Sequence, residues 1–157
     1  MDSEAGQGST FNIYLPVTKK AVELDQSPRL QFVPGQGTLL LVDDEETIRK
    51  LAAEILGKLG YSIIPAESGE KALSIYEHEK DHIDLVILDL IMPGMGGSET
   101  YKRLKQINPG VRVLVSSGSN LDREGRNIFP EGVPEFIQKP YRLEVLSQKL
   151  AEMLQSH

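Results

Sequence analysis

Cysteine is absent from the 157-residue chain, which excludes disulfides and any thiolate metal site. The lack suits a reducing compartment, and a cytoplasmic setting is the expectation. Long apolar runs are missing too. None approaches the ~20 residues of a membrane-spanning helix, so no membrane contact is expected from this segment. The opening residues MDSEAGQG are acidic and polar, without the basic end and apolar run of a secretory signal. Excess positive charge is also lacking: 17 lysines and arginines face 23 aspartates and glutamates, a formal net charge of −6. No nucleic-acid partner is expected, because such modules usually show a basic patch. His78 and His82 lie among charged residues and read as solvated, and no histidines are spaced to hold zinc. What is present fits a folded domain. Hydrophobic residues make up 39% and charged residues 25%, the balance of a globular, soluble chain with a real core.

Residues 3–16, SEAGQGSTFNIYLP, read as a turn and then a half-buried strand, with Phe11, Ile13 and Leu15 on one face. Residues 17–36 show no sustained period and carry Pro28, Pro34 and Gly35; they read as a linker. Residues 37–157 read as the main domain. TLLLVD is a continuous apolar run ending in acid, as in a strand buried on both faces. Ile48, Leu51, Ala52, Ile55, Leu56 and Leu59 then recur at helical spacing until Gly60 stops the helix. YSIIPA is a second strand, and Ser68 caps a helix carrying Ala72, Leu73 and Tyr76. DLVILD is the third strand. After MPGMGG, Thr100, Tyr101, Leu104 and Ile107 mark another helix. VRVLVS and EFIQK are strands four and five, and Leu143, Leu146, Leu150, Met153 and Leu154 mark a last helix. Between those two strands GSNLDREGRNIFPEG is interrupted by glycine and proline, so its helix is expected to be short or irregular. Strand and helix alternate with short joints. That is an α/β fold: a five-stranded parallel, doubly wound sheet with helices on both faces and right-handed crossovers.

Ligands of open parallel sheets bind beyond the carboxyl ends of the strands. Asp43 and Asp44 stand at the end of strand one, Asp89 at strand three, Ser116 and Ser117 at strand four, and Lys139 with Pro140 at strand five. Taken singly, each has a bland reading. An Asp pair after a strand is commonly a helix cap. An Asp before a Pro-Gly turn is turn chemistry. A Lys-Pro pair is a solvated boundary. Together on one edge they read differently. Crowded carboxylates repel unless compensated. A hard cation held through oxygens is the natural partner, and Mg2+ takes one or two carboxylates with water and phosphate oxygens. The lysine adds a second positive charge and the serine a hydrogen-bond donor. This set suits phosphoryl transfer, in which a carboxylate can itself be the nucleophile.

At this point the sequence resembles the receiver domain of two-component response regulators. LLLVDDEE, LVILDLIMPGMGG, VLVSSGS and FIQKPY occur in that family's order and spacing, over roughly residues 37–155. The resemblance, and not the apolar pattern, implies the flavodoxin-like strand order 2-1-3-4-5. It implies that Asp89 is the phosphoacceptor. Asp43 and Asp44 look like the Mg2+-binding acid pair, completed by Asp89 and the backbone carbonyl of Ile91. Lys139 resembles the lysine that contacts the phosphoryl group, and the bond to Pro140 is often cis in this family. Ser117, followed by small Gly118, resembles the switch hydroxyl, with Ser116 as the alternative one position away. Phe136 matches the switch aromatic. The implied partner is a phosphohistidine donor on a kinase or a phosphotransfer domain. Ile91 is apolar and cannot hold an attacking water, so self-hydrolysis of the phospho-form is expected to be slow.

Gly6 to Pro16 resembles the last hairpin of the ATP-binding lobe of sensor histidine kinases, which commonly reads much like GxGTxFxIYLP. On that resemblance residues 1–16 are the residual end of such a lobe, 17–36 a linker and 37–157 the C-terminal receiver of a hybrid sensor histidine kinase. Neither the nucleotide-binding motifs nor the histidine region of such a kinase lies within these residues. Three other readings stand beside it. One is a stand-alone response regulator. Another is a Mg2+-dependent hydrolase with an Asp nucleophile, which typically carries a second Asp where Ile91 stands. The third is a binding domain whose acidic pocket never turns over. The strand near residue 10 is expected to lie against its own domain, to extend a sheet edge, or to pair with a second copy as a homodimer.

Overall fold

The apolar runs expected as strands from Thr38 onward all become strands in the computed structural model, which describes residues 2–4, 8–10, 32–118, 129 and 134–155. The expected strand face of Phe11, Ile13 and Leu15, most of the expected linker and the expected irregular helix before Phe129 lie outside those residues. Near the start, β1 (Asp2–Glu4) and β2 (Gly8–Thr10) pair antiparallel with Asp2 opposite Thr10. Among the described residues this ribbon joins no other sheet.

The main sheet contains β3 (Thr38–Val42), β4 (Ser62–Ala66), β5 (Leu85–Asp89), β6 (Val113–Ser117) and β7 (Glu135–Gln138), all parallel, in the order β4-β3-β5-β6-β7. Counted within the domain this is 2-1-3-4-5, as the resemblance implied. Every residue of β5 and β6 is buried, which explains their unbroken apolar runs. The flanking strands β4 and β7 are only partly buried, and Pro65, which cannot donate to a ladder, sits on edge strand β4.

Four helices are described: α1 (Glu46–Lys58), α2 (Gly69–Glu79), α3 (Gly97–Ile107) and α4 (Leu143–Gln155). Alternate strand residues point to opposite faces, so the sheet separates two cores. On one face Leu40, Val42, Val86, Leu88, Val113 and Val115 meet Ala72, Leu73 and Tyr76 of α2 and Leu104 of α3. On the other Leu39, Leu41, Leu85, Ile87 and Leu114 meet Ala52 and Leu56 of α1 and Leu146 and Leu150 of α4. Ser68 caps α2 as expected, accepting the Lys71 N–H at 3.2 Å. Gly60 ends α1 at φ +105°, a conformation glycine adopts without steric cost. One expectation needs correction. Leu51, placed in the buried stripe of α1, is 57% exposed. The stripe narrows to Ala52 and Leu56 because α1 covers the sheet from one side only.

Candidate functional site

The site gathers where the strand ends converge. Asp43 follows β3, is 4% exposed, and receives the Glu45 N–H on Oδ1 at 2.9 Å. This bond fixes the turn into α1, whose N-cap is Glu45 and makes no side-chain cap bond. Asp43 is thus not the helix cap that an acid in this place commonly is. Its Oδ2 faces Lys139 Nζ at 2.9 Å. Asp89, the last residue of β5, is 7% exposed and meets the same Lys139 Nζ through Oδ2, again at 2.9 Å. Its Oδ1 takes the Ile91 N–H at 3.3 Å. Lys139 is itself fixed: its N–H donates to the Ser117 carbonyl at 2.7 Å, and its bond to Pro140 is cis. One ammonium is therefore shared by two buried carboxylates. Burial alone would push the Lys139 pKa down, but hydrogen bonds to Asp89 and Asp43 and their charges hold it above the usual lysine value.

Asp44 completes the acid set and is exposed. Asp43, Asp44 and Asp89 each offer a carboxylate oxygen, all within 4.8 Å of one another. The donors are oxygens only, the chemistry that suits Mg2+ and not zinc. Ile91 lies beside the cluster with its side chain 67% exposed.

The register assigns the remaining residues to faces. Asp89 pairs with Ser116, and Ser116 with Ile137, which belongs to the α1/α4 core. Val115 pairs with Phe136, and both belong to the α2/α3 side. Ser117, two residues past Val115 and fully buried, therefore shares a face with Phe136, while Ser116 shares one with Asp89.

Three contributors escaped sequence reasoning. Arg49 Nη1 donates to the Asp43 backbone carbonyl at 2.6 Å, a bond across six residues that no motif announces. Gly97 begins α3 directly against the end of β5. A Cβ there would overlap the Asp89 carbonyl oxygen and come within 2.6 Å of Leu90 Cα. Tyr141 has its pKa raised chiefly by burial, with Lys139 lowering it and Asp43 and Asp89 raising it. Glycine in the MPGMGG run was legible as a turn signal, but its packing role was not. His78, read as solvated, is exposed, with Nδ1 2.7 Å from the Ser74 carbonyl oxygen.

Sheet order and the position of the site place the chain among the flavodoxin-like α/β domains. It belongs to the response regulator receiver domain family, whose profile matches residues 39–151. Among curated proteins it is similar to the sensor kinase CckA of Brucella abortus, 32% identical over 98% of this chain and 17% of that one. It also resembles the sensor histidine kinase RcsC of Escherichia coli K12, 33% identical over 87% of this chain and 13% of that one. The chain thus spans under a fifth of the length of these two relatives. Among solved structures, the receiver domain of the hybrid histidine kinase CckA is 33% identical with a TM-score of 0.64, covering 76% of this chain and all of that one. A CheX–CheY–BeF3–Mg2+ complex from Borrelia burgdorferi is 27% identical with a TM-score of 0.65, covering 76% and 87%. The chain is a receiver domain of two-component systems, homologous to the receivers of hybrid kinases. No helix among the described residues is long and apolar enough to cross a membrane.

Proposed function

We propose that Asp89 accepts a phosphoryl group from a phosphohistidine on a kinase or phosphotransfer domain. The N–P bond breaks and an O–P bond to the Asp89 carboxylate forms, while the histidine nitrogen keeps the electron pair and takes up a proton. The observation that carries this reading is the single ammonium of Lys139, 2.9 Å from both Asp43 and Asp89. It positions the Asp89 carboxylate, and it lies where a phosphoryl oxygen would need a cation. Mg2+ bound by Asp43, Asp44, Asp89 and the Ile91 carbonyl would supply further positive charge to the oxygens of the moving group. A relative's structure with BeF3 and Mg2+ supports that choice of metal. The Ser117 hydroxyl, drawn toward the new dianion, leaves room on the α2/α3 side that Phe136 fills. A local charge event then biases a two-state surface.

Alignment lengths support a hybrid-kinase origin. The sensor kinases CckA and LuxN align over 98% and 97% of the chain, while the transcriptional regulatory protein GlrR aligns over 74%. Residues ahead of the domain therefore have counterparts in sensor kinases. On this reading residues 1–16 end an ATP-binding lobe, 17–36 link it to the receiver at 37–157, and the module works in the cytoplasm. A hydrolase reading is disfavoured by Ile91, which stands where a second acid is needed.

Asp89→Asn tests the assignment. Acetyl phosphate with Mg2+ should label the native chain and leave the variant unlabelled. Labelling of the variant at the full native rate would sink the assignment of Asp89.

A further inference from the structure

The segment entering the main sheet lies on the domain in an ordered alternation. Val33, Gly35 and Gly37 are partly covered, while Phe32, Pro34 and Gln36 are exposed. That is the pattern of an extended chain laid along a surface. Three of its backbone groups bond to the domain. The Val33 N–H points to Ser147 Oγ on α4 at 3.4 Å. The Gly35 N–H donates to the Leu59 carbonyl, at the end of α1, at 2.9 Å. The Gly37 carbonyl accepts the Ser62 N–H at 2.9 Å, where the segment runs into the β3–β4 pairing.

The receiving surface is shaped for this approach. Ser147 is fully buried, and its O–H goes to the Glu144 carbonyl at 2.8 Å, which leaves the oxygen free to accept from Val33. Tyr61 is only 4% exposed, and its ring lies where a Cβ on Gly35 would fall. Across the contact, a Cβ on Gly60 would overlap the Gly35 carbonyl oxygen. Two glycines and a buried serine thus accommodate one stretch of backbone. An untethered linker needs none of them.

We infer that residues 32–37 are a clasp. They form a fixed joint seated on α4 and on the turn between α1 and β4. The joint lies at the edge of the sheet opposite Asp43, Asp89 and Lys139. One strand separates the two edges, about 17 Å for a five-residue strand at ~3.3 Å per residue. The clasp fixes the point where residues 32–37 enter the domain at the end of the sheet away from the acid edge. Through Val33 it also ties this segment to α4, the helix that begins shortly after Lys139.

Amide exchange on the full chain, read residue by residue by NMR, tests this. In the native chain the Val33 and Gly35 amides should exchange at least about tenfold more slowly than unstructured ones. Gly35→Ala should remove the protection at position 35 and at Val33, while the amides of Leu39, Leu40 and Leu41 stay protected and report an intact sheet. Ser147→Ala should raise exchange at Val33 and leave Gly35 protected. Unstructured exchange at Val33 and Gly35 in the native chain would overturn the clasp, as would full protection in Gly35→Ala. If Gly35→Ala does not fold, the native rates and the Ser147→Ala rates decide.

Discussion

Replacing Lys139 by methionine keeps the apolar stem and removes only the ammonium. Two carboxylates then face each other with their shared cation gone, and their side chains are just 5% and 10% exposed. Removing one partner of a buried ion pair costs about 3–5 kcal/mol. The Lys139 side chain is 22% exposed, so water offsets part of this and the low end applies, about 3 kcal/mol. For a domain of this size that lowers the melting temperature by about 10 °C. Urea unfolding followed by circular dichroism and tyrosine fluorescence measures it, and the absence of tryptophan keeps the tyrosine signal clean. The experiment begins in metal-free buffer. Added Mg2+ should then recover more than half of the loss, because it supplies charge to the same oxygens. Adding Asp43→Asn to Lys139→Met should also recover part of it, since the two changes act on one cluster and do not add. A loss below about 0.5 kcal/mol without metal, within the range of an ordinary surface substitution, would refute the view that Lys139 holds the Asp43 and Asp89 side chains in place.

Three further outcomes are expected. Gly97→Ala should push the Asp89 backbone away, costing about 1–3 kcal/mol as overpacking and slowing acetyl phosphate labelling; a variant with native stability and native rate would contradict the packing. Alkaline pH should destabilise the fold. Burial raises the pKa of Tyr61, Tyr76 and Tyr141, and Lys139, despite its burial, is raised by hydrogen bonds and charge from Asp89 and Asp43. A raised folded-state pKa favours folding while the group stays protonated. These contributions are complete below the unfolded values near pH 10 and are lost as pH climbs through the folded ones. Melting temperature should therefore hold between about pH 7 and 9 and fall above about pH 10; a flat profile to about pH 11.5 would count against it. The phospho-form should decay slowly, because exposed, apolar Ile91 offers an attacking water no hydrogen bond. Ile91→Asn should speed decay about tenfold or more by a phosphate-release assay, and native decay within seconds would contradict the proposal.

The sheet was legible because its central strands β3, β5 and β6 are buried on both faces. Runs such as LVILD leave no other assignment once glycine, proline and helical spacing punctuate them. Strand order was not in the pattern and came from the resemblance. The acid cluster could be anticipated because strand-end residues share one edge of a parallel sheet, which brings Asp43, Asp89 and Lys139 together across 96 and 50 residues. What stayed hidden depended on three-dimensional contact without a local signature. Arg49 reaches a backbone carbonyl, Gly97 is required by a close approach, and Val33 and Gly35, within the residues read as a linker, bond to the domain. Leu51 shows the opposite failure: helical spacing identifies a stripe but cannot say how much of it the sheet will cover.

The most direct test of the central claim is to map the modified residue by mass spectrometry after the native chain has reacted with acetyl phosphate and Mg2+. One phosphoryl group on Asp89, and none on Asp43 or Asp44, is the predicted result. A label on another residue, or no label while Mg2+ is bound, would contradict it.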